Sequence, residues 1–156
     1  MFYRPYLFEM LEKIVKQCDM FIYTSSEKEY ADMILKQIDP DDKYFKAKFY
    51  KTNCTKAENG LFLKDLEVVR RPITRTVLVD NSSFSFSHQV LNGVPILSYT
   101  GSQTDTELMS LLDYLIYLSK SPDVRRSNLE YFKYPVYIDN ISQGADTIYS
   151  RLFTSQ

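Results

Sequence analysis

The polar residues best suited to chemistry stand at the ends of short apolar runs. Met20 to Tyr23 leads into Thr24, Ser25 and Ser26, and Val77 to Val79 leads into Asp80, Asn81, Ser82 and Ser83. An acid directly after a buried strand needs a cation, a second acid or a ligand beside it, because an isolated buried charge is costly. A hydroxyl at a helix start, with the N–H groups there, can hold phosphate oxygens. Lys64 can bring a point charge to the same phosphate. Asp80 and Asn81 offer hard oxygen donors of the kind that suit Mg²⁺. Thr24, Lys64, Asp80 and Asn81 therefore form a coherent set if the fold gathers them. Each also has a plainer reading: Thr24 as a helix cap, Lys64 with Asp65 as a surface pair, Asp80–Asn81 as a turn after a strand.

The set lacks a nucleophile. Phosphoryl transfer through an aspartyl-phosphate needs an attacking carboxylate and usually a second acid for the leaving group. No apolar strand in the sequence runs into Asp-x-Asp. Asp39 and Asp41 have the spacing, but they flank Pro40 behind a helix, which is a turn setting. Asp139 ends YPVYID, and Ile141 stands where the second acid would be.

The elements that must position these residues alternate. Pro5 opens a helical pattern with Leu7, Met10, Leu11, Ile14 and Val15 on one face. MFIY, residues 20–23, reads as a buried strand, and the hydroxyls of Thr24 to Ser26 are placed to cap the next helix, which carries Tyr30, Ile34 and Ile38. KYFKAKFY alternates like a strand, Asn59-Gly60 marks a turn, and residues 44–64 are expected to form a hairpin-like insertion. VLVD and VPILSY are further short strands. Thr104 and Glu107 have capping-box spacing before a helix with Leu108, Leu111, Leu112 and Leu115, and Ser121-Pro122 opens another to about Phe132. The tail holds a strand-like YPVYID and a short helical piece with Ile148 and Leu152. Alternation of helix and buried strand predicts an α/β fold, a doubly wound, mostly parallel sheet with a small β insertion. Ligands in such sheets bind at the carboxyl ends of strands.

Composition narrows the classes. At 156 residues and 44% hydrophobic, the chain can bury one real core. A net charge of −1 gives no electrostatic case for nucleic acid or an anionic membrane surface. Cys18 and Cys54 are far apart with no CxxC spacing, so a reducing compartment, cytoplasmic or nuclear, is expected. His88, the only histidine, lies in a polar stretch that suits a surface position. No apolar run approaches the roughly twenty residues of a membrane span, and no cleavable signal pattern stands out.

Six blocks, RPYLFEML, FIYTSS, YKTNC…GLFLKDL, VLVDNSS, NGVPI and DTELMSLL, come in order between Phe2 and Phe132. Together they resemble the small C-terminal-domain and Dullard-like phosphatases of the haloacid dehalogenase superfamily. The resemblance implies a Mg²⁺-dependent phosphatase fold acting on phosphoserine or phosphothreonine in a protein or peptide partner. It assigns phosphate binding to Thr24 and Lys64, a direct metal contact to Asn81 and a supporting one to Asp80. Tyr30 and Lys51 fall at substrate-groove positions. Glu27 departs from the pattern, where an apolar residue is usual. The family's first motif, a strand ending in DxDx(T/V), would stand before Arg4-Pro5 and between FIYT and VLVD in the sheet.

Residues 1–132 are thus expected to be a phosphatase-like domain, incomplete at its amino end and inactive as written, with 133–156 a tail outside the resemblance. YPVYID filling the missing strand's place, with Asp139 near Asp80, is a further expectation. A catalytically dead phosphoprotein-binding or scaffold protein is the alternative, and a relative of a mitochondrial protein-import receptor is another.

Overall fold

A computed structural model describes residues 3–133 of the chain. Its elements follow the order α1 (Leu7–Ile14), β1 (Met20–Tyr23), α2 (Lys28–Ile38), β2 (Phe45–Phe49), β3 (Thr55–Lys56), β4 (Phe62–Leu63), β5 (Leu78–Asp80), β6 (Gly93–Pro95), α3 (Glu107–Ser119) and α4 (Val124–Phe132). Short 3₁₀ turns fill much of the path between β4 and β6. The YPVYID strand and the Ile148–Leu152 piece expected in the tail lie outside the described residues.

The strands associate in pairs. β1 runs parallel to β2, β5 runs parallel to β6, and β3 is antiparallel to β4. Each pair is a sheet of its own. The α/β character expected from the sequence is present, with α2 between the parallel neighbours β1 and β2 and 3₁₀ turns between β5 and β6, but the single doubly wound sheet is not formed by the described residues. β1, which leads into Thr24, and β5, which ends in Asp80, do not pair with each other.

The expected insertion over 44–64 is corrected. Phe45–Phe49 belongs to the parallel pair with β1, and the antiparallel piece shrinks to β3, β4 and their connection. Asn59-Gly60 does make that connection: Gly60 sits at φ 82°, where a side chain would be strained, and Asn59 Oδ1 accepts from Leu61 N–H. Asp39 explains why the chain turns sharply from α2 into β2. Its carboxylate is buried and accepts from the N–H groups of Lys43 (2.7 Å), Tyr44 (2.9 Å) and Phe45 (3.2 Å).

Two apolar clusters flank β5. Leu78 packs with Leu66 and Phe86, and Tyr23 of β1 joins that cluster. Val77 and Val79 point the other way, against Val94, Leu108, Leu111 and residues of α1. The two-residue period of a strand makes β5 the partition between them. β6 approaches the first cluster so closely that a Cβ on Gly93 would lie 2.2 Å from the Phe86 ring. Only glycine fits there without moving a ring that is fully buried.

The start of α3 differs from the expected capping box. Asp105, not Thr104, accepts from Glu107 N–H at 3.0 Å. The same carboxylate is bidentate to the Arg4 guanidinium (2.9 and 2.8 Å), and Arg4 also donates to Leu97 O at 2.7 Å. Residues just before α1 are thereby tied to the loop behind β6.

Candidate functional site

Thr24 follows β1 directly, and its N–H continues the ladder by donating to Phe49 O at 2.9 Å. Its hydroxyl oxygen accepts from Ser26 N–H at 3.1 Å, closing a local turn, and it does not cap α2. The N-cap of α2 is Glu27, with no side-chain cap bond. The Thr24 hydroxyl hydrogen is left to donate, and α2 begins close behind it.

Lys64 stands just after β4, its backbone N–H held by Ser85 O at 2.9 Å. Its side chain turns inward and its ammonium lies 2.5 Å from Asp80 Oδ2, with both side chains no more than 10% exposed. The surface pairing with Asp65 is therefore corrected: Asp65 instead accepts from Glu67 N–H and the Gln89 amide, and these bonds hold its carboxyl below the usual range. Asp80 Oδ1 accepts from Ser82 N–H at 2.8 Å. Asn81 is exposed beside it, and its amide nitrogen donates to Ser98 Oγ at 3.0 Å, which leaves the amide oxygen facing away from that bond.

Cys54 shows how near the two strand ends come. Its thiol lies 3.7 Å from Thr24 O, and its acidity responds to both Lys64 and Asp80. Burial raises the thiol's pKa, the Lys64 ammonium lowers it, and Asp80 raises it again. Tyr23 reports the same crowding: burial, with Cys54 and Asp65 nearby, pushes its hydroxyl up to about 12. Cys54 thus touches the Thr24 backbone carbonyl and feels the charges of Lys64 and Asp80. No motif in the sequence marks Cys54. Ser98 does carry a signal, because it follows a short apolar run just as Thr24 and Asp80 do.

Around this neighbourhood, Tyr30 is 57% exposed and lines a cleft of about 150 Å³ with Ile22, Thr24, Ser26, Ile34 and Leu35. Lys51 donates its backbone N–H to Ser26 O at 3.1 Å, and its ammonium lies 2.6 Å from Glu27. Lys51 is therefore already engaged with the acid that departs from the expected pattern. His88 is exposed, as its polar setting suggested.

A divalent cation finds only part of a site here. Mg²⁺ takes about six oxygens in near-octahedral array. Asn81 Oδ1 and the Asp80 carboxylate are two sources, and both Asp80 oxygens already accept hydrogen bonds. Among the described residues, no three His, Cys, Asp or Glu side chains converge. These residues alone do not make a Mg²⁺ site. Among the same residues no helix is long and apolar enough to cross a membrane.

Residues 1–125 match the profile described as NLI interacting factor-like phosphatase. The chain is 38% identical over 130 residues to CTD small phosphatase-like protein 2 of Dictyostelium discoideum, covering 83% of this chain and 23% of that protein. It is 30% identical over 122 residues to CTD nuclear envelope phosphatase 1 of Xenopus laevis, covering 78% and 50%. Nuclear envelope morphology protein 1 of Saccharomyces cerevisiae is 29% identical over 133 residues, with 78% and 30% covered. The chain thus spans half or less of the length of these relatives.

Proposed function

Because the chain belongs to the NLI interacting factor-like phosphatase family, we propose that it recognises phosphoserine or phosphothreonine in a protein or peptide. The phosphate would sit between the Thr24 hydroxyl and the Lys64 ammonium. The observation that supports this reading is Cys54, whose thiol lies 3.7 Å from the Thr24 carbonyl and feels the charges of both the buried Lys64 and Asp80. Thr24 would donate to a phosphate oxygen, and the N–H groups opening α2 would add their partial positive charge. Lys64 would exchange part of its attraction for Asp80 for the more highly charged phosphate.

The 156 residues bind in this reading but do not turn over. Covalent phosphoryl transfer needs a carboxylate aimed at phosphorus, and Asp80 is engaged by Lys64 and Ser82. A strand ending in Asp-x-Asp, laid between β1 and β5, would supply both the nucleophile and the oxygen donors that Mg²⁺ lacks here. It would also join the two parallel pairs into the doubly wound sheet. Residues 1–132 make up this phosphatase-like unit, with 133–156 outside it. A cytoplasmic or nuclear setting fits the two free cysteines.

The test is binding of a fluorescein-labelled phosphoserine peptide to the full chain, followed by polarisation. Phosphate-dependent binding should weaken at least tenfold in Thr24→Ala, while p-nitrophenyl phosphate with Mg²⁺ is not hydrolysed. Equal binding of phosphorylated and unphosphorylated peptide ends the proposal. Turnover that is lost in Asn81→Ala ends its second half.

A further inference from the structure

We infer that Glu27 makes this site select phosphorylated peptides that carry a basic residue beside the phosphorylated one. The inference rests on the phosphopeptide reading above and adds a substrate class to it. Glu27 lies three residues after Thr24, so the two Cα atoms are at most about 11 Å apart. Its side chain is 63% exposed, and its backbone carbonyl opens α2 by accepting from Ala31 N–H at 3.1 Å. A peptide whose phosphate reached Thr24 would run its neighbouring residues past this carboxylate.

The charges around Glu27 decide what it reads. Lys51 is 2.6 Å from Glu27, and its ammonium also lies 5.7 Å from the centre of the Phe62 ring. Lys28 is paired with Asp32, which also accepts from the Tyr50 hydroxyl at 2.6 Å. Glu29 makes no ion pair among the described residues. The rim over 27–32 with Lys51 therefore sets three acids, Glu27, Glu29 and Asp32, against two lysines that are already committed. Within this rim an acidic flanking residue meets excess negative charge, and both of the rim's lysines are already paired. A basic one meets Glu27 and can share it with Lys51. An exposed pair of this kind is worth up to about fivefold in affinity. Attraction for one peptide and repulsion of the other should separate them by about tenfold at low salt.

Three fluorescein-labelled phosphoserine peptides, identical except for Arg, Ala or Glu on both sides of the phosphoserine, would be titrated with the full chain. The expected order of affinity is Arg, then Ala, then Glu, with the spread shrinking as ionic strength rises toward 0.5 M, where charges are screened within a few ångströms. Glu27→Gln should abolish the spread and Glu27→Lys should reverse it. Lys51→Ala, which releases Glu27, should widen it. Equal binding of the Arg and Glu peptides, or a preference that survives Glu27→Gln, overturns the inference and leaves the phosphopeptide reading standing. Unphosphorylated Arg peptide binding as tightly as its phosphorylated form overturns both.

Discussion

Lys64 is the residue on which the site's electrostatics turn. Its ammonium is 2.5 Å from Asp80 and both side chains are nearly inaccessible, so the pair is shielded from the solvent screening that weakens surface pairs. Removing the cation from beside a buried carboxylate typically costs about 3–5 kcal/mol. Lys64→Ala should therefore lower the unfolding free energy by about 3 kcal/mol in urea titrations at neutral pH, and it should also abolish phosphate-dependent binding. A loss under about 1 kcal/mol would mean that water reaches the pair and that its burial counts for little. At this scale the sequence was informative in part. A polar residue straight after an apolar run is visible by eye, so Thr24, Asp80 and Asn81 stand out. That Lys64 turns inward to Asp80 and leaves Asp65 to Gln89 was not visible, because neighbours in sequence carry no information about which side chain the core accepts.

Helices and strands were legible where periodicity is long or turn chemistry is strong. α1, α2 and α3 fall where apolar spacing puts them, and Asn59-Gly60 makes its turn. Pairing was not legible. Phe45–Phe49 looks like half of a hairpin because it precedes a turn, yet it joins β1, since a strand finds its partner through tertiary packing. Asp105 was also hidden, because its role at α3 depends on Arg4, about a hundred residues away. That clamp has a pH signature. The Arg4 hydrogen bonds, helped by Glu107 N–H, hold the Asp105 carboxyl below its usual range. A lowered folded pKa means stability that is present above the unfolded value near 4 and is lost as pH falls through the folded one. Arg4→Ala should cost about 1 kcal/mol at pH 7, and its deficit relative to the native chain should narrow as pH drops below about 4 and through the lowered folded value. A deficit that does not shrink at all as the carboxyl is titrated would show that Arg4 acts through contacts that do not depend on pH, its bond to Leu97 O and its packing on Tyr99, whose ring centre lies 5.7 Å from the guanidinium carbon.

At the scale of the whole molecule, the separation of β1–β2 from β5–β6 has a consequence for how the protein opens. The first pair meets the second through side chains, chiefly Tyr23 against Leu66, Leu78 and Phe86, and not through a shared ladder. β5 has apolar clusters on both of its faces, while all four residues of β1 are only half-buried. Elements joined by packing alone can detach without melting their neighbours, so the chain should open in two tiers. Native-state hydrogen exchange reads this directly at two amides. Thr24 N–H, bonded to Phe49 O, should exchange through a sub-global opening of low free energy that depends little on denaturant. Ile96 N–H, bonded to Asp80 O, should exchange only with global unfolding. Equal protection at both amides would mean one cooperative unit. With two tiers, an extended strand bound between β1 and β5 would slow exchange at Thr24 far more than at Ile96, making that one amide a reporter of whether the halves are joined.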